Sequence, residues 1–449
     1  MRKLFGTDGI RGKANLYPMD AQTAYKVGVA VGRYFREQGG KRLKVLIGRD
    51  TRLSGTMIEA AIAAGLCAVG AEARLLGVIS TPGVAYLTRS TDAVAGVVIS
   101  ASHNPFVDNG IKIFSKDGFK LPDATELHIE EIILRTDLTD LYTEPHEVGV
   151  AKTMPEALEL YIQSLVRALE GRSLDGLPIV IDCANGAAYQ TAPEVLKRLG
   201  ADVTTLGADP DGRNINKACG SLHPEALQNT VIQKKAKLGV AFDGDADRAI
   251  FVDAKGQVVD GDQIMAICAK CLKQQGRLAK DTLVATVMSN IGLERAMKEI
   301  GVRLVRTAVG DRYVVESMVS EGYNYGGEQS GHMIFLDQST TGDGVLAALN
   351  VLGVLIESGK ELDELASIMT RYPQVLKNLM VTYKRPLEDL NGVLKVIERI
   401  ESELGEKGRV LVRYSGTENK ARVMVEGEKE EEIRLFADEI VRALDAELN

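Results

Sequence analysis

The chain has 449 residues, 45% hydrophobic and 26% charged, with a net charge of −8. Those proportions are those of an ordinary globular protein and exclude global disorder, and the length predicts roughly three domains. The acidic balance and the absence of Trp argue against a nucleic-acid binder, but leave room for a local basic pocket that takes anionic small molecules.

The opening Met1-Arg2-Lys3-Leu4-Phe5-Gly6-Thr7-Asp8 has no apolar stretch behind its charges, so no signal peptide is expected. The longest apolar runs, 60–71 and 345–356, fall short of the ~18 residues that span a bilayer. Five cysteines, an odd number, fit a reducing compartment without a disulfide framework. A cytoplasmic protein is expected, with no membrane partner. Cys268 and Cys271 form a lone C-x-x-C with no second pair, and the apolar run 263–272 around them reads as a core helix.

In chain order, Ala24, Val27, Val31 and Tyr34 recur at helical spacing, with Asp20 as N-cap. Segment 44–47 predicts a strand, 57–70 a helix and 94–99 a buried strand. The pattern restarts at 178–183, with a helix over 192–199 capped by Thr191 and strands over 202–206 and 239–242. A third cycle has strands 283–287 and 304–307 and helices 293–300 and 313–320. The tail differs, reading β-α-β-β-α over 377–383, 390–404, 409–413, 421–426 and 430–444. The expectation is an α/β protein: three similar mixed-sheet α/β domains (1–150, 151–252, 253–370) plus a smaller C-terminal α+β two-layer domain (371–449).

Four loops carry candidate chemistry. Ser100-Ala101-Ser102-His103-Asn104-Pro105 leaves the carboxyl end of strand 94–99, where active residues collect in such sheets. Asp243-Gly244-Asp245-Ala246-Asp247-Arg248 offers three carboxylates at alternate positions, a hard oxygen set suited to Mg²⁺. It is not an EF-hand, since Arg248 and Ala254 stand where that loop needs Gly and Glu. Gly326-Gly327-Glu328-Gln329-Ser330-Gly331-His332 brackets hydroxyl-reading side chains with glycines. Arg413-Tyr414-Ser415-Gly416-Thr417-Glu418-Asn419, followed by Arg422, has the makings of a phosphate cradle. Each loop alone also reads as a turn; together they suit phosphoryl transfer to and from a sugar, with phosphorylated Ser102 beside a metal.

These four motifs, in this order, resemble the α-D-phosphohexomutase superfamily over essentially the whole chain, from Phe5-Gly6-Thr7-Asp8-Gly9-Ile10-Arg11-Gly12 to Gly427. The opening motif, Val309-Gly310-Asp311-Arg312-Tyr313-Val314 and Gln329 are most similar to members acting on glucosamine phosphates. The resemblance implies that Ser102 is a phosphoserine, and that Asp243, Asp245 and Asp247 hold Mg²⁺ with it. It implies that Glu328, Ser330, His332, Asp311 and Arg312 bind substrate, and that Arg413, Ser415, Gly416, Thr417 and Arg422 grip the non-reacting phosphate. Arg11, His103, Lys112 and Arg248 would line the reaction centre. Lys112 is the expected general acid/base, its pKa lowered by Arg11, Arg248 and Mg²⁺. Glucosamine 1,6-bisphosphate or glucose 1,6-bisphosphate would prime the enzyme, the partner would be a small sugar phosphate, and a homodimer is implied. One departure from many relatives is Asn419 in place of proline. Glucose or mannose phosphate as substrate, a metal-dependent phosphatase and a non-catalytic sensor stand as alternatives.

Overall fold

The computed structural model describes residues 3–6, 8–39, 43–169, 171–415 and 419–449. By compactness the chain forms two units, Met1–Met288 with Val302–Ile368, and Ser289–Gly301 with Met369–Asn449.

The first unit contains three mixed sheets. The first sheet has seven strands in the order Phe5–Gly6, Gly9–Lys13, Asp108–Ser115, Ala95–Ile99, Lys44–Arg49, Glu72–Val78 and Ala151–Thr153. Ala95–Ile99 is buried at every position, as a central strand covered on both faces must be. Its neighbour Lys44–Arg49 runs parallel, and Asp108–Ser115 antiparallel. Helices Ala21–Glu37 and Gly55–Ala68 pack over this sheet. Asp20 caps the first of them by accepting from the Thr23 amide at 2.8 Å. The two helices meet through glycine: a Cβ on Gly28 would lie 2.2 Å from the Ile62 carbonyl, and one on Gly65 2.1 Å from the Tyr25 carbonyl.

The second sheet has the order Val258–Val259, Ala249–Asp253, Leu238–Phe242, Pro178–Asp182, Asp202–Leu206. The third has the order Arg303–Thr307, Thr282–Thr286, Tyr325–Gly327, Met333–Phe335. Strand 151–153 carries the first sheet past residue 150, and 258–259 carries the second past 252. The helix expected over 192–199 begins four residues earlier. It runs Ala188–Arg198, with Pro193 inside and Thr191 buried rather than capping. Cys268 is buried and Cys271 half-buried on helix Gly261–Gln274, and all five cysteines are free thiols.

The second unit holds an antiparallel three-stranded sheet, Gln374–Met380, Lys420–Glu426, Arg409–Tyr414. One face, with Val375, Val423 and Val425, packs on helices Asn391–Leu404 and Glu430–Leu448. Helix Ile291–Glu299, read from sequence as part of the third cycle, groups with this unit instead. Asn290, just before it, donates through Nδ2 to the Tyr372 carbonyl at 2.9 Å and accepts from the Tyr372 amide at 3.1 Å. Among the described residues, no helix is long and apolar enough to cross a membrane.

Candidate active site

Ser102 sits where the first sheet's buried strand ends, and its backbone is left-handed, at φ 52°. A non-glycine residue in that region is costly and persists only when its surroundings hold it. The restraint is visible. Arg52, fully buried, donates to the carbonyls of Ser102 at 2.8 Å, Asn104 at 2.9 Å and Asp108 at 3.1 Å, and also to that of Pro105. Asp50 fixes the guanidinium at 2.8 Å and accepts from Ser100 Oγ at 2.6 Å. Asn216, from the second sheet's side, donates to the Ser102 carbonyl at 2.9 Å. The serine is thus presented by a loop tied down through its own carbonyls.

Ser102 Oγ donates to Asp243 Oδ2 at 2.5 Å and lies 3.2 Å from His103 Nδ1. Asp243, Asp245 and Asp247 occupy the connection between the antiparallel strands Leu238–Phe242 and Ala249–Asp253. Ala246, at φ 57°, turns the loop so that one oxygen from each carboxylate lies within 4.8 Å of the others. All three side chains are buried. Burial and the charges of Asp247 and Asp245 push the Asp243 carboxyl far above its usual range. Asp245 Oδ1 and Asp247 Oδ1 are buried without a hydrogen-bond partner. An oxygen-only donor set with orphaned, mutually repelling carboxylates fits a hard divalent cation such as Mg²⁺. The loop is held from outside as well. Thr81 Oγ1 donates to Asp245 Oδ2 at 2.6 Å, and the Gly344 amide donates to the Ala246 carbonyl at 3.0 Å.

Lys112 lies 3.0 Å from Asp245, 3.2 Å from Asp8 and 3.6 Å from Asp247. Burial opposes its charge, but Asp245, Asp8 and Asp247 outweigh both that and Arg11, and the ammonium titrates above its ordinary value. His103 moves the other way: burial, Arg248 and Arg11 lower it to about 4, so its ring is neutral. Arg11 pairs with Asp8. Arg248 lies 3.7 Å from Asp247, and its backbone amide donates to Asp243 Oδ1 at 3.2 Å.

The glycine-bracketed loop is a tight hairpin between Tyr325–Gly327 and Met333–Phe335. Glu328 Oε1 accepts from the Gly310 amide at 3.2 Å, and Ser330 is exposed at the hairpin tip. His332 joins this loop to the loop of the three aspartates. Its Nε2 accepts from the Gly342 amide at 3.1 Å, and its Nδ1 faces Asp247 Oδ1 at 3.6 Å. Asp311 lies 3.6 Å from His332 Nε2. Arg312 departs from expectation. Its guanidinium binds Asp123 and, at 2.7 Å, Glu126 on helix Asp123–Ile133, so it braces two sheets' helices.

In the second unit, Arg413 and Arg422 are direct cross-strand neighbours on the sheet face turned away from the helices. Burial and Arg422 together lower the Arg413 guanidinium. Two opposed cations destabilise a sheet unless an anion joins them. Ser415, at the end of the same strand, is buried and its carbonyl accepts from Lys384 Nζ at 2.7 Å. Gly416 and Thr417 lie outside the described residues.

Arg52, Asp50, Asn216, Thr81 and Asp8 escaped the reading of the sequence. Only Asp8 carried a signal, its place inside the opening motif.

Four domain families match the chain: phosphoglucomutase/phosphomannomutase alpha/beta/alpha domain I at residues 2–140, domain II at 159–256, domain III at 260–372 and the C-terminal domain at 376–443. A phosphoglucosamine mutase of Syntrophotalea carbinolica is 53% identical over 448 residues, covering 100% of this chain and 98% of the relative. One from Myxococcus xanthus is 54% identical over 449 residues, covering 100% and 98%. Among solved structures, a phosphoglucomutase/phosphomannomutase family protein from Burkholderia thailandensis superposes with a TM-score of 0.81 at 24% identity, covering 99% of this chain and 97% of that one. The N-acetylphosphoglucosamine mutase of Aspergillus fumigatus, solved with GlcNAc-6P and magnesium, gives 0.71 at 17%, covering 100% and 96%.

Proposed function

The chain belongs to the phosphoglucomutase/phosphomannomutase family of isomerases, and from that premise we propose that it interconverts glucosamine 6-phosphate and glucosamine 1-phosphate through a phosphorylated Ser102 and a 1,6-bisphosphate intermediate. The observation that carries this reading is Ser102 Oγ against Asp243, at the edge of a buried carboxylate triad, in a chain more than half identical to full-length phosphoglucosamine mutases.

In the forward half-reaction a sugar hydroxyl oxygen attacks the phosphorus on Ser102, and the bond from phosphorus to Oγ breaks. The hydroxyl loses a proton and the departing Oγ gains one. Lys112, held among Asp245, Asp8 and Asp247, carries both: its ammonium gives a proton to Oγ and the amine so formed takes the hydroxyl's, which leaves Lys112 as it began. Neutral His103, at 3.2 Å, orients Oγ. Mg²⁺ held by Asp243, Asp245 and Asp247 would offset the charge that builds on the transferring group. Glu328, Ser330 and Asp311 read the sugar's hydroxyls, and Arg413, Arg422 and Ser415 bind phosphate. The bisphosphate then turns over, presents its other phosphate to Ser102 and restores the phosphoserine. We assign the first, second, third and fourth motifs to domains 1–150, 151–252, 253–370 and 371–449.

The test is a mutase assay with Mg²⁺ and a priming bisphosphate on glucosamine, glucose and mannose 6-phosphates, for wild type and Ser102→Ala. The expected result is the highest kcat/KM with glucosamine 6-phosphate and none for the variant. Equal turnover by both proteins would overturn the mechanism. A preference for glucose or mannose phosphate would overturn the substrate, and stoichiometric release of free phosphate would favour a phosphatase.

A further inference from the structure

We propose that Lys120 is a positioning residue of this site: a single ammonium that ties Asp8, just before the strand carrying Arg11, to Asp311, at the start of the helix that follows Gly310. The proposal rests on the mutase reading above and extends it to a residue outside all four motifs.

Lys120 follows the hairpin turn 115–119 and bridges back to Phe114. Its side chain is 13% exposed. Nζ donates to Asp311 Oδ2 at 2.7 Å and to an Asp8 carboxylate oxygen at 2.5 Å. Each of these carboxylates is a junction. Asp8 also binds Arg11 and Lys112. Asp311 begins helix Asp311–Glu321, directly after Gly310, whose amide holds Glu328, and it faces His332. His332 in turn faces the metal ligand Asp247. Lys120 therefore closes a chain of charges that runs from Arg11 to the metal loop and passes behind the sugar-reading hairpin.

Without that ammonium, Asp8 and Asp311 would face each other as two carboxylates largely out of solvent. Lys112 cannot substitute, because its own ammonium is engaged with Asp245 and Asp8. Repulsion would part the loops of the first and third sheets, and Glu328 and Asp311 would leave the geometry set by Gly310. Small misplacements of binding groups cost rate steeply. Among the described residues no hydrogen bond or ion pair joins Lys120 to Ser102 or the triad, so it acts through the two carboxylates it joins.

The experiment compares wild type, Lys120→Met, Lys120→Arg, Asp311→Asn and the Lys120→Met/Asp311→Asn double variant with glucosamine 6-phosphate, Mg²⁺ and glucose 1,6-bisphosphate. Lys120→Met should lose roughly thirtyfold in kcat/KM, mostly through KM, with the half-saturating Mg²⁺ concentration within twofold of wild type. Lys120→Arg keeps a cation that can join two carboxylates and should stay within about fivefold of wild type. The double variant should be no worse than the poorer single one, since both break the same link. Lys120→Met within threefold of wild type, or losses that multiply in the double variant, would overturn the proposal. If Lys120→Met gives no cooperative melt, Lys120→Arg decides: a folded Arg variant thirtyfold slower overturns it. A wild type inactive on all three hexose phosphates sinks the parent reading, and is seen before any variant is compared.

Discussion

The Arg52 guanidinium donates to the Ser102 carbonyl at 2.8 Å from a position with no exposure to solvent. The same side chain reaches the carbonyls of Asn104, Pro105 and Asp108, so one residue satisfies most of the loop that presents the reacting serine. Replacing Arg52 by Met leaves Asp50 buried without its cation and strands those carbonyls. We expect a stability loss of about 3 kcal/mol in denaturant unfolding. We also expect at least a tenfold fall in kcat, because Ser102 would relax from its left-handed backbone. A variant with wild-type kcat would show that the loop holds its shape without Arg52.

Thr81 holds Asp245, which we assign to Mg²⁺, through its 2.6 Å bond to Oδ2. Residues in that position typically shift metal affinity by about 10- to 100-fold. Thr81→Val should raise the half-saturating Mg²⁺ concentration about tenfold at unchanged KM for the sugar phosphate. In wild type, Mg²⁺ should also raise the thermal midpoint, since it binds the folded triad. A melting curve indifferent to Mg²⁺ would contradict the metal assignment.

The opposed arginines in the C-terminal sheet predict a binding defect. Losing a charge-assisted bond to phosphate costs about 1.5–3 kcal/mol of binding. Arg422→Ala should therefore raise the KM for the sugar phosphate ten- to a hundredfold. An unchanged KM would show that Arg422 takes no part in binding.

Arg312 gives the mirror case. Its guanidinium is engaged with Asp123 and Glu126, and Glu126 is buried. Arg312→Met should cost about 3 kcal/mol of stability by breaking its buried pair with Glu126. KM for the sugar phosphate should stay within twofold, as steady-state kinetics on the folded fraction would show.

What could be read from sequence was what is local in sequence. Ser102 follows a five-residue buried strand, and the three aspartates alternate within five residues, so both sites were visible as short patterns. Arg52 was not, because the carbonyls it serves lie 50 to 56 residues away and nothing near it in the chain differs from a surface arginine. Lys112 is reached through the resemblance, and only half of its surroundings is legible. The cations beside it were legible in the motifs, whereas Asp8 and Asp245 meet it only when three segments converge. The helix over Ala188–Arg198 was started too late because Pro193 reads as a first-turn residue. In the structure it sits at the sixth position, where the amide it lacks would have bonded the Tyr189 carbonyl.

Helix Ile291–Glu299 has a bearing on how this protein can be taken apart. The C-terminal unit is discontinuous in the chain: it takes 289–301 from between two strands of the third sheet and joins them to 369–449. Arg409 donates to the Ser289 carbonyl at 2.6 Å, and Arg295 donates to the Glu406 carbonyl at 2.6 Å. Cutting the chain near residue 370 would not release a finished module. The excised tail would lack its borrowed helix, and the remaining protein would keep a helix stripped of the residues it packs on. An autonomous version of either part needs residues 289–301 moved with the tail, with a short turn joining Thr282–Thr286 to Arg303–Thr307 in their place.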